Sequence, residues 1–228
     1  IVHFLHVGKT GGNAIRHARE LGKEKPRAVN GRLLLQRAHN VTLEMCPEGD
    51  AVVFVVRHPV SRFVSAFWSR YRRGQHDPDA LSAGETTAFE QFATPEELAA
   101  ALSNGNPAKS SAAQKAMHEI EHVRHTLTFY LSSPSYLWAR RRDILHIGFQ
   151  ERLDADLPVL VDRLRISAHT YLPNGSQEAH RTPTSFSRAL SDQARANLEW
   201  WYADDIQIYR TCCDLAGQLD AADRDPTP

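Results

Sequence analysis

Lysine is scarce in this chain of 228 residues, and neither sign of charge predominates. Only 5 of the 27 basic side chains are lysines, and 27 acidic side chains bring the formal net charge to zero. This balance excludes the broad positive field with which proteins attract nucleic acids or anionic membranes, so we expect no nucleic-acid partner. An anionic ligand must instead bind at a local site.

Cysteine and long apolar runs are scarce as well. The three cysteines are Cys46 and the adjacent pair Cys212 and Cys213, an arrangement that makes no disulfide framework and predicts a reducing compartment. No segment approaches the roughly 20 apolar residues that a membrane span needs. We therefore expect a cytoplasmic protein of bacterial origin without an integral membrane segment.

Short apolar segments alternate with helical patterns along the chain. Strands are predicted at residues 1–7, 32–36, 51–56 and 144–149. Helices are predicted at 13–21, from Pro59 past Tyr71, from Pro95, at 107–125, at 151–164, and from Ser191 past Tyr209. Residues 74–88 and 170–187 are expected to be loops. The alternation indicates one α/β domain over residues 1–228, and the unbroken apolar run Ala51–Val56 is typical of a parallel sheet covered on both faces.

A glycine-rich turn follows the first predicted strand and leads into a predicted helix. Its sequence is Gly8-Lys9-Thr10-Gly11-Gly12-Asn13. Backbone N–H groups at a helix start attract anions, and Lys9 adds a full positive charge there. The nucleotide-binding pattern G-x-x-x-x-G-K-[ST] fits only in part, because its first glycine would fall on His3. The turn predicts a phosphate or sulfate site, and a small-molecule kinase using ATP and magnesium stays open as an alternative.

Two segments of this sequence resemble the cofactor-binding elements of sulfotransferases that use 3′-phosphoadenosine 5′-phosphosulfate (PAPS). Residues His6 to Asn13 are similar to the loop that binds the 5′-phosphosulfate. Residues Val55 to Phe67 are similar to the element that binds the 3′-phosphate, in which Arg57 ends a strand and Ser65 follows eight residues later. A forked arginine donor suits phosphate oxygens. The likeness spans roughly residues 3–210 and is closest to the carbohydrate sulfotransferases.

The resemblance implies a fold, a reaction and a cofactor. The expected fold is a single α/β domain of the P-loop NTPase-like sulfotransferase type, with a central parallel sheet of about four or five strands flanked by helices. The expected enzyme moves a sulfuryl group from PAPS to a hydroxyl of a glycan or glycolipid, releases the desulfated product PAP, and uses no metal. Lys9 is expected to neutralise charge on the leaving phosphate oxygen.

A general base is needed for the acceptor hydroxyl, and His39 is our choice. It follows the second predicted strand, where related carbohydrate sulfotransferases carry a His or Glu base, and its ordinary pKa suits neutral pH. The alternatives left open are His125, His122 and Glu44. Arg181 is expected to contact the cofactor from the late loop. Three arginines on the helix after Arg57 are candidates for contact with an anionic acceptor, namely Arg70, Arg72 and Arg73.

The segment His118-Glu119-Ile120-Glu121-His122 is a competing motif. It matches H-E-x-x-H, in which two histidines on one helical face bind zinc and the glutamate acts as base. A zinc hydrolase is therefore an alternative, although the extended pattern would need Gly and His at positions 125 and 128, which are His125 and Thr128. A protein that keeps the nucleotide pocket without catalysis is a further alternative.

Overall fold

The computed structural model describes residues 1–11, 27–29, 32–164, 183 and 185–224. The predicted helix at 13–21, most of the late loop, and the residues Gly12, Asn13 and Arg181 lie outside this part. The chain divides into two compact units. The first unit comprises Ile1–Arg57, Leu127–Arg181 and Gln207–Pro228, and the second comprises His58–Thr126 and Thr182–Ile206.

The described residues form five strands and ten α-helices. The strands are β1 Val2–Leu5, β2 Arg27–Val29, β3 Arg32–Gln36, β4 Ala51–Val56 and β5 Ile144–Phe149. The helices are α1 Pro59–His76, α2 Ala83–Gln91, α3 Pro95–Ala101, α4 Pro107–Glu119, α5 Glu121–Arg124, α6 Leu127–Leu131, α7 Pro134–Ala139, α8 Leu153–Arg163, α9 Asp192–Trp201 and α10 Ala203–Arg224. Short 3₁₀ helices lie at Leu43–Met45, Pro78–Ala80 and Gln150–Arg152.

The five strands form one sheet in the first unit, in the order β2-β3-β1-β4-β5. Strands β3, β1, β4 and β5 are parallel, as the sequence predicted. Strand β2 was not predicted, and it pairs antiparallel with β3 at the edge of the sheet. Only two residues separate these strands, Asn30 and Gly31, and this dipeptide favours hairpins.

Strand β4 explains why an unbroken apolar run is needed at the centre of the sheet. Its side chains alternate between two cores, with Val52, Phe54 and Val56 in one and Val53 and Val55 in the other. Helices α6, α7 and α10 contribute apolar side chains to the first core, and helix α8 contributes to the second. Both faces of the sheet are therefore covered, which confirms the expected α/β class.

The second unit is helical, and its core is built around α1. The predicted apolar stripe of α1 is buried, and its aromatic side chains Phe63, Phe67 and Trp68 pack with residues from α2, α3, α4 and α9. Ser61, Ser65 and Ser69 are half-buried on another side of the helix, as predicted. The N-terminal caps predicted at Thr94 and Ser191 are both formed, because each side chain accepts a backbone hydrogen bond three residues on.

Three predictions in the helical regions were wrong. Residues 74–88 are not a loop, because α1 continues to His76 and α2 begins after Ser82, whose capping box with Glu85 starts a helix. The helix predicted at 107–125 is interrupted at Ile120, whose extended backbone separates α4 from α5. The last helix is likewise divided at Tyr202 into α9 and α10.

Candidate functional site

The carboxyl ends of the parallel strands β3, β1, β4 and β5 lie at one edge of the sheet. The glycine turn follows β1, and neighbouring strands in a sheet are only about 5 Å apart. On one side β3 leads into the segment with His39, and on the other β4 ends before Arg57. Strand β3 lies on one side of β1, and the next strand in the chain, β4, lies on its other side. The glycine turn after β1 is therefore at the point where the strand order reverses, which is where ligands bind in open α/β sheets.

The glycine turn is tightly folded on the end of β1. The Val7 N–H donates to the Leu5 carbonyl at 3.2 Å, and the Thr10 hydroxyl donates to the Val7 carbonyl at 2.8 Å. Gly8 and Thr10 are buried, whereas Lys9 is half-buried. Lys9 has φ +67° and Gly11 has φ +90°, so both adopt the left-handed conformation. Only glycine adopts it freely, so the turn holds Lys9 in an uncommon conformation, a feature frequent at functional sites.

The turn also packs closely against the segment after β5. A Cβ atom added to Gly11 would lie 3.1 Å from Cδ2 of Leu153 and 3.6 Å from Cγ of Gln150. That segment is itself fixed, because the Asp156 carboxylate accepts the Phe149 N–H at 2.6 Å. Burial raises the pKa of Asp156, although this hydrogen bond and Arg152 oppose the shift. Gly11 therefore lies against side chains of the segment that follows β5.

His39 lies in the segment after β3 and is exposed to solvent. Its ring contacts that of His6 in a tilted arrangement, with 3.7 Å between ring centroids and 36° between planes. His6 comes directly after β1 and is only 5% exposed. The sequence predicted His39 as a site residue, whereas His6 was included only as the first residue of the glycine-rich segment. Their contact depends on the pairing of β1 with β3, which no local pattern reveals.

The segment before His39 is anchored to β1 by Arg37. The Arg37 N–H donates to the Phe4 carbonyl at 2.9 Å, and its Nε donates to Nδ1 of His3 at 2.9 Å. His3 is 1% exposed, and its Nε2 lies 2.9 Å from the Asp50 carboxylate. His3 therefore stabilises the sheet through these two contacts. It occupies the position at which the nucleotide-binding pattern requires its first glycine.

The two proposed 3′-phosphate ligands lie on consecutive elements. Arg57 directly follows β4 and is half-buried, and Ser65 lies on α1 in the second unit. The backbone N–H of Arg62 donates to the His58 carbonyl at 2.9 Å, so the helical hydrogen bonds of α1 start directly after Arg57. The remaining predicted cofactor ligands Gly12, Asn13 and Arg181 lie outside the described residues.

The alternative bases belong to other structural elements than His39. Glu44 is exposed in the 3₁₀ helix Leu43–Met45 of the first unit. His122 and His125 belong to the second unit, where their carbonyl oxygens accept hydrogen bonds from the buried Arg62. These backbone contacts give both histidine segments a structural role in the core of the second unit.

The H-E-x-x-H segment does not form the single helix that its zinc interpretation requires. His118 is the penultimate residue of α4, with its ring 5.4 Å from that of Trp201, and His122 lies on α5 beyond the break at Ile120. The two histidines therefore do not share one helical face. Within residues 1–11, 27–29, 32–164, 183 and 185–224, no group of three or more His, Cys, Asp or Glu side chains is arranged to hold a metal ion.

The three arginines at the end of α1 have separate environments. Arg70 is buried and donates to both carboxylate oxygens of Glu85 at 2.7 Å. Arg72 donates to the Trp68 carbonyl at 3.2 Å, and burial lowers its pKa. Arg73 is exposed. The buried pair shows that Arg70 stabilises the fold, which the sequence pattern did not distinguish from an acceptor contact.

These features define an α/β protein with a glycine turn at the carboxyl edge of a parallel sheet. The sequence profile of the sulfotransferase family matches residues 30–210, and the chain belongs to that family. The matched range begins after the glycine turn and includes His39, Arg57 and Ser65. A search of curated proteins returned no match.

In the part of the chain that the structure describes, no helix has both the length and the apolar character needed to cross a bilayer.

Proposed function

We propose that this sulfotransferase uses PAPS as donor and sulfates a hydroxyl group of a carbohydrate-like acceptor. One observation carries the proposal: the ring of the exposed His39 contacts that of His6, which follows β1 and lies two residues before the glycine turn with Lys9. An anion site and a base are the two groups that sulfuryl transfer needs close together. We assign the catalytic activity to residues 1–228 as one domain.

The donor is bound through its phosphates in this proposal. Gly8, Lys9, Thr10 and Gly11, followed by Gly12 and Asn13, surround the 5′-phosphosulfate. The close approach at Gly11 supports this assignment, since any side chain there would meet Leu153. Arg57 and Ser65 bind the 3′-phosphate, and Arg181 adds a further cationic contact. The left-handed backbone at Lys9 and Gly11 is typical of turns that present N–H groups to an anion.

PAPS would supply the sulfuryl group, and its phosphate oxygen is the leaving group. His39 removes the proton from the acceptor hydroxyl while the acceptor oxygen forms its bond to sulfur. The sulfur–oxygen bond to the phosphate breaks, and its electron pair stays on the phosphate oxygen, whose charge Lys9 neutralises. The proton remains on His39, PAP is released, and no metal takes part.

The acceptor is a glycan or a glycolipid in this proposal. Support comes from the resemblance to carbohydrate sulfotransferases and from the exposure of His39, which a bulky acceptor can reach. A reducing cytoplasm is the proposed compartment, since Cys46 and Cys212 are buried thiols and Cys213 is also unbonded.

Calorimetric titration with PAP in the absence of metal tests the donor site. The wild type is expected to bind PAP, and both Lys9→Ala and Arg57→Ala are expected to weaken binding by at least about tenfold, as loss of a charge-assisted hydrogen bond predicts. Lys109→Ala is the matched control, because Lys109 is exposed on α4 of the second unit. Binding of ATP with magnesium but not of PAP would replace this proposal with a kinase.

The base is tested with radiolabelled sulfate transfer from PAPS to a panel of glycans and glycolipids. His39→Ala is expected to lower kcat by about 10²–10⁴-fold, which is the usual contribution of a general base. PAP affinity should stay within twofold of the wild type. His76→Ala, an exposed histidine at the end of α1, is the control. An unchanged kcat in His39→Ala would exclude His39 as base and direct attention to Glu44, His122 and His125.

A further inference from the structure

His6 and His39 form an asymmetric pair of imidazole rings. The His6 ring is buried, whereas the His39 side is open to solvent, and the ring centroids are 3.7 Å apart. An exposed side chain ordinarily samples several rotamers. Contact with a buried ring removes part of that freedom, so His6 restricts where the His39 imidazole can lie.

His6 is itself held in place by the centre of the sheet. It directly follows β1, which pairs with β3 on one side and with β4 on the other. Val2, Phe4 and Leu5 of this strand are buried in the cores on its two faces. The His6 backbone therefore has little room to move, and the turn with Lys9 begins two residues later.

A second anchor acts on the same segment. Arg37 lies two residues before His39 and is bonded to β1 through both its backbone N–H and its guanidinium. The His39 segment is thus tied to β1 by Arg37 and by the ring contact with His6. Strand β1 therefore positions both Lys9 and His39, although these two residues lie on different loops.

We propose that His6 is a positioning residue, which restricts the position of the His39 imidazole relative to β1 through the contact between their rings. The inference rests on the proposed function, in which His39 is the base and the turn binds the donor. His6 takes no proton in this role. A flat ring of similar size is what the position requires.

Kinetics of three variants test this role. His6→Ala is expected to lower kcat by about tenfold to 10²-fold, the loss that misplacement of a reacting group by about 1 Å produces. The KM for PAPS should change little. His6→Phe keeps a flat ring and is expected to recover most of kcat. If His6→Phe is as slow as His6→Ala, an imidazole is needed at this position and the positioning role is overturned.

A double-mutant cycle separates action through His39 from a general structural effect. In the His39→Ala background, His6→Ala should lower kcat by less than about twofold, because the ring it positions is gone. His146→Phe is the matched control, since His146 is a buried strand histidine elsewhere in the sheet. Equal losses of kcat in His6→Ala and His146→Phe, at equal losses of stability, would contradict the proposal.

An observation independent of turnover distinguishes this inference from the proposed function. In NMR spectra of the free protein, the His39 ring protons should be shifted by the His6 ring current, lose that shift in His6→Ala and regain one in His6→Phe. These shifts with no sulfate transfer would uphold the contact and overturn the proposed function. Sulfate transfer with His39 signals unaffected by His6→Ala would overturn the positioning role alone.

Discussion

At the scale of single residues, Lys9 shows how a turn can hold a charge in a defined direction. A non-glycine residue with positive φ costs about 1–2 kcal/mol relative to the right-handed conformation. Lys9 keeps φ +67° because Thr10 bonds to the Val7 carbonyl and Gly8 and Thr10 are buried around it. The surrounding structure therefore offsets the strain, as is usual at functional sites.

Gly11 is the second residue of the turn with a left-handed backbone conformation. Gly11→Ala is expected to destabilise the protein by about 1–3 kcal/mol, since φ is +90° and the new Cβ would lie 3.1 Å from Leu153. Gly49→Ala isolates the backbone contribution, because Gly49 has φ +84° but open space around it. Urea unfolding should show the larger loss for Gly11→Ala, and PAP titration should show weaker binding for that variant only. Equal effects of both variants would mean that the contact with Leu153 is unimportant.

At the scale of elements, helices α1 and α2 are joined by a buried ion pair. Glu85 accepts hydrogen bonds from Arg70, from the Ser82 N–H and from the Glu121 N–H, so one carboxylate caps α2 and bonds to the first residue of α5. Burial raises the pKa of Glu85, but these hydrogen bonds outweigh burial and leave its pKa below the ordinary value. This network stabilises the start of α2, in which residues 83–88 had been predicted to belong to a loop.

Removal of the Glu85 charge is expected to destabilise the second unit strongly. Glu85→Gln leaves the Arg70 charge without its buried partner and should lower the free energy of unfolding by about 3–5 kcal/mol. Glu121→Gln is the matched control, because Glu121 also pairs with Arg70 but its side chain is 42% exposed. Its loss should be at most about 1 kcal/mol. Chemical denaturation measures both, and similar losses would show that burial does not decide the strength of these pairs.

The same carboxylate predicts a dependence of stability on pH. The pKa of Glu85 is lower in the folded protein than its ordinary value of 4.5. Its contribution is therefore complete above pH 4.5 and is lost as the pH falls through the folded-state pKa. Denaturation of the wild type and of Glu85→Gln between pH 3 and 6, with buffers of about constant ionic strength, should show a difference that narrows on acidification. A difference that widens would contradict the assignment.

The helix break at Ile120 predicts that the H-E-x-x-H segment does not bind zinc. Because His118 and His122 lie on separate helices, we expect no stoichiometric zinc and no loss of sulfate transfer on treatment with a chelator. Elemental analysis of protein purified with added zinc provides the measurement. One zinc per chain that disappears in His118→Ala would restore the hydrolase alternative.

At the scale of the whole molecule, ligand binding should raise the stability of the chain. With PAP at 100 times its Kd, the free energy of unfolding is expected to increase by about 2.7 kcal/mol, which corresponds to roughly 5–10 °C in Tm for a chain of this length. Arg57→Ala should lose this shift, whereas Arg195→Ala should keep it, because Arg195 is exposed on α9. A shift with ATP and magnesium but none with PAP in calorimetric scans would argue for a kinase.

Much of the fold could be predicted because local signals were strong. The run Ala51–Val56, the helix start at Pro59 and the cap at Ser191 each depend on neighbouring residues. The sequence missed β2, although Asn30-Gly31 is a hairpin signal that could have found it. It also predicted continuous helices across Ile120 and Tyr202, since neither residue type breaks helices, whereas both are buried in the core of the second unit where the helices end.

The amino-acid sequence by itself determined the class of fold, the sulfotransferase family, and the residue types of the proposed site. Those properties follow from local spacing and from the chemistry of glycine, lysine and arginine. Only the tertiary structure decided that the ring of His6 contacts that of His39, that Gly11 packs near Leu153, and that Arg70 is buried against Glu85. Each of these contacts joins segments at least 15 residues apart. Such contacts are created by strand pairing and helix packing, which local patterns do not encode.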